Sequence, residues 1–211
     1  MSSKQRILVM LLAAGLVAGC DVIKPELLGE SIGVARDAAV DGAAIDAYQP
    51  ELGNLIANPD FEAQGTSGWT TNGGNGTITL ATAGARTGVY GLRVAMRSGV
   101  WNGPAVVLTA KVRRGKHYVA RAWARLAGPG TDSFAVAIRH TCSEDGQHFN
   151  QQTTRQVVTA PDNATWVQPS SSFIVVNSPT CTLAEVLMYV ETSATVAPFY
   201  VDDVDLVEVV P

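Results

Sequence analysis

Long hydrophobic runs, histidine, cysteine and charge are all scarce in these 211 residues, and each scarcity removes a class of protein. The longest apolar run, Ile7 to Val17, is too short to span a bilayer. The three histidines, His117, His140 and His148, show no spacing that would assemble a transition-metal site. Three cysteines occur without a Cys-x-x-Cys pair, so no redox dithiol is expected. Gly-x-Ser-x-Gly, His-Glu-x-x-His and a phosphate loop are missing, and no cysteine has the helpers a nucleophile needs. Only 16% of residues are charged and no basic cluster occurs, which argues against nucleic acid as a partner. Neutral ligands fit this surface better.

What is present begins with an export pattern. Lys4 and Arg6 precede the apolar run, which ends in Leu16-Val17-Ala18-Gly19-Cys20. Residues 1–19 read as a lipoprotein signal peptide, with Cys20 as the lipidated first residue of the mature chain; the alternative is a plain signal peptide with an incidental cysteine. Several acyl chains, each methylene contributing about 0.8 kcal/mol, would hold the protein on a membrane that it does not cross. The expected location is the bacterial cell envelope, on the periplasmic side or the cell surface. Loss of Lys4 and Arg6 takes the formal charge from −4 to −6. An oxidising compartment lets the two remaining cysteines, Cys142 and Cys181, form a disulfide; two buried free thiols are the alternative.

Residues 20–53 are rich in Ala, Asp, Gly and Glu with only a weak helical pattern, and read as a spacer. From Asn54 to Pro211 the pattern changes to short strands punctuated by Gly, Asn, Pro and Ser, which predicts an all-β sandwich. Expected strands include Thr77–Ala81, His117–Leu126, Ser133–Thr141, Thr154–Val158, Ala184–Glu191 and Phe199–Val209. Alternation puts Phe134, Val136 and Ile138 on a core face, with Ala135, Ala137 and Arg139 opposite. By the same rule Met188 and Val190 face inward, while Tyr189 and Glu191 look out together. In the last strand the pairs Phe199/Val201 and Val204/Leu206 are three apart, so a bulge at Asp202-Asp203 is needed to restore one apolar face. Trp69, Trp123 and Trp166 are expected to pack in the core or at its edge.

A series of short signatures runs in order along this part: Asn58 to Glu62 with Gly68-Trp69, Gly88 to Val94, Trp101 to Pro104, Gly115 to Tyr118 with Ala122-Trp123, Tyr189-Val190-Glu191, and Phe199 to Val204; the first and last read as the first and last strands of one closed β-domain. Together they resemble the carbohydrate-binding modules of families four, nine and twenty-two, galactose-binding-like β-jelly rolls often attached to xylanases and glucanases. The resemblance implies non-catalytic binding of a polysaccharide or oligosaccharide in a groove on one sheet. Trp101 and Tyr189 are then expected to stack exposed along that trough, with Glu191 pairing with hydroxyls and Arg139, Arg97 and Phe149 as further contacts. Arg139 is alternatively a structural partner of Glu191. Xylan-binding relatives commonly carry an arginine just after the Gly-Trp, where this chain has Thr70-Thr71-Asn72.

The resemblance further implies a structural calcium held by Glu62 and Asp202, or Asp203 in its place, with carbonyls of the Arg86-Thr87-Gly88 turn. The alternative is that these acids are solvated edge residues. The competing functional reading is an envelope lipoprotein that docks a protein partner with the same jelly roll.

Overall fold

The computed structural model describes residues 51–210 apart from 52, 64, 143–147 and 150–153. The expected signal peptide, Cys20 and nearly all of the spacer lie outside the described residues. Within them, short runs of β-branched and aromatic residues become strands because no segment carries a helical period to compete. Chain order is β1 (Trp69–Thr71), β2 (Thr77–Ala81), β3 (Gly91–Ala95), β4 (Pro104–Val107), β5 (His117–Leu126) and β6 (Asp132–Cys142). There follow β7 (His148–Phe149), β8 (Thr154–Gln156), β9 (Val158–Ala160), β10 (Ser170–Ile174), β11 (Leu183–Thr192) and β12 (Phe199–Glu208).

These strands build two antiparallel six-stranded sheets, as the alternating patterns predicted. One runs β1-β4-β11-β6-β7, with β9 also on β6; the other runs β2-β3-β12-β5-β10-β8. The fold is an all-β jelly-roll sandwich. Its core lies where the inner faces meet: Phe134, Val136 and Ile138 of β6 and Met188 and Val190 of β11 are fully buried. They pack against Tyr118 of β5 and Phe199 of β12, and the Phe134 and Phe199 rings stand 5.4 Å apart. Burial of each such ring contributes about 2–3 kcal/mol.

β12 carries the expected irregularity. Asp202 pairs with Trp123 but Asp205 with Arg121, so one extra residue is accommodated, and Asp203 adopts φ 47°. The bulge brings Phe199, Val201, Val204 and Leu206 onto the core side, all fully buried.

The first signature departs from expectation. Asn58 to Glu62 is not a strand: Asn58 and Phe61 both have positive φ, and the chain bends so that the Phe61 ring enters the core against Trp69 at 5.3 Å. The two ends of the domain still meet, because the Val204 amide donates to the Pro59 carbonyl at 2.9 Å and Leu55 to Leu206 at 2.8 Å. The predicted strand Thr154–Val158 is also two strands. β8 joins β10 in one sheet and β9 joins β6 in the other, with Val157 as the crossing point.

Cys142 and Cys181 are disulfide-bonded, with Cα atoms 5.2 Å apart, and tie the end of β6 to the turn before β11. Arg114 clasps the same turn by donating to the carbonyls of Val176, Ser178 and Cys181.

Candidate functional site

The outer face of the sheet containing β11 holds most of the predicted site. On β11 the alternation Glu185, Leu187, Tyr189, Glu191 points outward, and register sets Tyr189 beside Ala105 of β4 and Ala137 of β6. Ala105, Ala137, Leu187 and Tyr189 form a small apolar cluster separate from the main core. Alanines flank the tyrosine on both neighbouring strands, so the floor is low there and longer side chains rise around it.

Those side chains are ionic. Arg139 donates from Nη1 to Asn72 Oδ1 at 3.0 Å and from Nη2 to Glu185 Oε1 at 3.1 Å, crossing the trough. It does not pair with Glu191, whose partner is Arg155 of β8. Burial raises the Glu191 pKa above the usual carboxylate range, and Arg155 opposes the rise. The Tyr189 phenol is also pushed up, by burial and then by Glu191, while Arg139 and Arg155 pull it down. A tyrosine and three ionic groups therefore share one field.

Trp101 stands in the loop between β3 and β4, 55% exposed. Asn72 holds that loop against the trough: its Nδ2 donates to the Trp101 carbonyl at 3.1 Å, while Asn102 Nδ2 donates back to the Asn72 carbonyl at 2.8 Å. Asn72 therefore links the Trp101 backbone to Arg139. Gly103 completes the fit, since a Cβ there would collide with the Val190 carbonyl of β11.

Two expectations need correction, those for Tyr189 and Arg97. Tyr189 is only 9% exposed and lies in the floor rather than standing up from it. Arg97 is not on the trough at all: it is 5% exposed, and it donates to the carbonyls of Val100, Thr195 and Ala197 and to the Thr192 hydroxyl. Burial lowers its pKa to about 10, against the pull of Asp132. Arg97 thus holds the Trp101 loop from beneath, its guanidinium 4.6 Å from the Phe199 ring. Phe149 enters as backbone paired with His140, and its side chain lies outside the described residues.

Asn72, Glu185 and Arg155 were missed by the sequence reading. Glu185 was legible from the alternation of β11. Asn72 looked like part of a glycine-rich turn, and Arg155 sat in what read as one continuous strand.

The acids expected to hold calcium gather at the Arg86–Tyr90 turn. Glu62 Oε1 accepts from the Val89 and Tyr90 amides, both at 2.7 Å, and Asp202 Oδ2 accepts from the Arg86 amide at 2.7 Å and the Thr87 amide at 3.3 Å. Asp203 pairs with the Arg86 guanidinium at 2.7 Å. Asp202 is fully buried, and burial followed by the adjacent Asp203 pushes its pKa up to about 8. Once both are ionised, two adjacent buried acids facing one guanidinium leave a negative excess that suits a hard cation, so binding one would release the Asp202 proton. Among the described residues, however, no group of three or more acidic, histidine or cysteine side chains is arranged to hold a metal. The turn's carbonyls would have to supply the remaining ligands.

Similar proteins are known for most of the length of this chain. The profile of the family described as carbohydrate binding domain matches residues 53–196. An endo-1,4-beta-xylanase A of Thermoanaerobacterium saccharolyticum is 28% identical over 171 residues, 80% of this chain but 14% of the enzyme. The exoglucanase XynX of Acetivibrio thermocellus is 28% identical over 72% of this chain and 13% of its own length. The chain therefore spans only about a seventh of these curated relatives. Among solved structures, the CBM22-1 xylan-binding domain from Paenibacillus barcinonensis Xyn10C superposes with a TM-score of 0.63 at 20% identity, covering 78% of this chain and 99% of that one. The C-terminal family 22 carbohydrate binding module of Clostridium thermocellum Xyn10B gives 0.63 at 20% identity, over 77% of this chain and all of that one.

Proposed function

The chain belongs to the carbohydrate-binding domain family, and from that premise we propose that it holds a xylan-like or glucan-like chain in the trough on β4, β11 and β6 without cleaving it. One observation carries the reading: an apolar floor of Ala105, Ala137, Leu187 and Tyr189 is framed by Arg139, Arg155, Glu185 and Glu191. Sugars need this combination, because their C–H faces seek apolar surface and their hydroxyls need donors and acceptors at the rim. Trp101, at 55% exposure, offers a ring for stacking beside it.

Arg139 bridges the trough in the free protein. Its ion pair with Glu185 is partly exposed, with side chains at 27% and 35%. Such a pair contributes on the order of 1 kcal/mol or less, so sugar hydroxyls can replace it at small cost. Cleavage is disfavoured by spacing: Glu185 and Glu191 lie six residues apart on one strand, roughly 20 Å at about 3.3 Å per residue. Glycosidase carboxyl pairs stand within about 10 Å.

Retardation in xylan-containing gels tests the reading. The protein should be retarded and Trp101→Ala should run free, whereas a blank glycan array with a specific co-purifying protein would favour the envelope-docking alternative. We further propose lipid attachment at Cys20, which metabolic acyl labelling lost in Cys20→Ser would support. Calcium at Glu62 and Asp202 is the third part of the proposal; it would supply positive charge to the exposed Glu62 and the buried Asp202 and fasten the domain ends.

A further inference from the structure

β8 belongs to the sheet opposite the trough, pairing with β10 at Ser170 to Ser172. Its middle residue nevertheless reaches the trough. Between the stretches of β6 that pair with β7, at His140 and Thr141, and with β9, at Asp132 to Phe134, the β6 edge has no strand partner among the described residues. The Arg155 side chain comes past that edge and its Nη2 meets Glu191 Oε1. Glu191 lies opposite Ala135 in register, and Ala135, although it faces outward, is completely buried.

We propose that Arg155 is a positioning residue for glycan binding, which walls the trough beside Ala135 and holds the Glu191 carboxylate where a sugar hydroxyl can donate to it. The inference rests on the groove reading above. Three observations support it. First, the Glu191 side chain is only 12% exposed, so an acid left there alone would be poorly solvated. Second, Arg155 is 32% exposed, so N–H groups of its fork remain accessible beside the carboxylate. Third, the surroundings supply no substitute: Arg139 is bound to Asn72 and Glu185, and β4 contributes only Ala105 and Val107 on this face.

The charge balance sets a pH dependence. Among the described residues, the titratable or charged groups sharing this part of the trough are Tyr189 on the same strand, Arg139 on β6 and Arg155 on β8. Burial raises the Glu191 pKa and Arg155 lowers it. A carboxylate acceptor is available above that pKa and lost as pH falls through it. Removal of Arg155 should move the loss to higher pH.

The test uses full-length protein, Arg155→Gln and Arg155→Lys, with xylohexaose affinity measured calorimetrically across pH 4.5–8.5 and the Glu191 carboxyl titrated by 13C NMR without ligand. Arg155→Gln should bind about tenfold more weakly at neutral pH, the size expected when one charge-assisted hydrogen bond is lost. Its acid limb and its Glu191 midpoint should both rise, and Arg155→Lys should recover part of each. An unmoved Glu191 midpoint, or affinity and pH profile equal to the parent's, overturns the proposal. Failure of the parent to bind any xylo-oligosaccharide sinks the groove reading instead, while the ligand-free titration still decides whether Arg155 holds Glu191.

Discussion

The two outer faces of the sandwich use the same residue types to opposite ends. On the face of β5 and β12, Trp123, Trp166 and Tyr200 are all half-buried under guanidinium groups. Arg86 lies 3.9 Å above the Trp123 ring, and Arg125 stands 5.1 Å from both Trp166 and Tyr200. Arg125 is fixed there by the Asn163 and Ala83 carbonyls, and Gly84 sits so close to Tyr200 that a Cβ would strike the ring. Among the described residues the face of β11 has fewer rings, yet Trp101 is open and alanines leave space around Tyr189. On the proposed function, small residues on the central strands, more than the number of aromatics, are what leave room for a sugar on one face.

This contrast can be attacked from several sides. Arg97→Met should have the largest effect, about 3 kcal/mol of stability by chemical denaturation, because a buried guanidinium that ties the Trp101 loop to the Thr192–Ala197 segment loses all four of its hydrogen bonds. It should also weaken glycan binding, since the Trp101 loop loses its support. An unchanged midpoint would show that the loop holds itself. Trp101→Ala should weaken xylan binding by roughly 30-fold, the size of a hot-spot contact of about 2 kcal/mol, with an almost unchanged melt. Tyr189→Ala is a less clean probe, because its buried position makes some loss of stability unavoidable.

Trp123→Ala should do the reverse of Trp101→Ala: about 1–2 kcal/mol less stability and unaltered retardation in gels. Binding lost with Trp123 would erase the distinction between the faces.

The last prediction concerns the acids at the domain ends. The Asp202 pKa is raised to about 8, so the stability tied to its protonated form is complete below about pH 4 and lost as pH rises towards 8. In chelator, the parent's melting temperature should fall relative to Asp202→Asn between pH 5 and 8, by roughly 3–8 °C. Calcium should restore the parent and not the variant. Identical pH profiles with and without chelator would remove calcium from the site.

Much of the architecture was legible because strand periodicity is local. The inward faces of β6 and β11 follow from alternation, and the three-residue offset in the last strand required the bulge that Asp203 provides. Asn58 to Glu62 misled because its positive φ values come from packing Phe61 into the core, which no local pattern announces. Arg97 misled for a related reason: proximity to Trp101 in sequence suggested a shared role, but its buried guanidinium points to acceptors on Val100, Thr192, Thr195 and Ala197.

By itself the order of residues determined most of the strands, the faces of β6 and β11 and the cysteines available to pair. Only the tertiary structure decided that Arg155 crosses from the other sheet to Glu191, that Arg139 turns to Glu185 and that Tyr189 sinks into the floor. Alternation specifies the face of a strand a side chain occupies. Its partners, exposure and charge are set by neighbours brought together from distant parts of the chain.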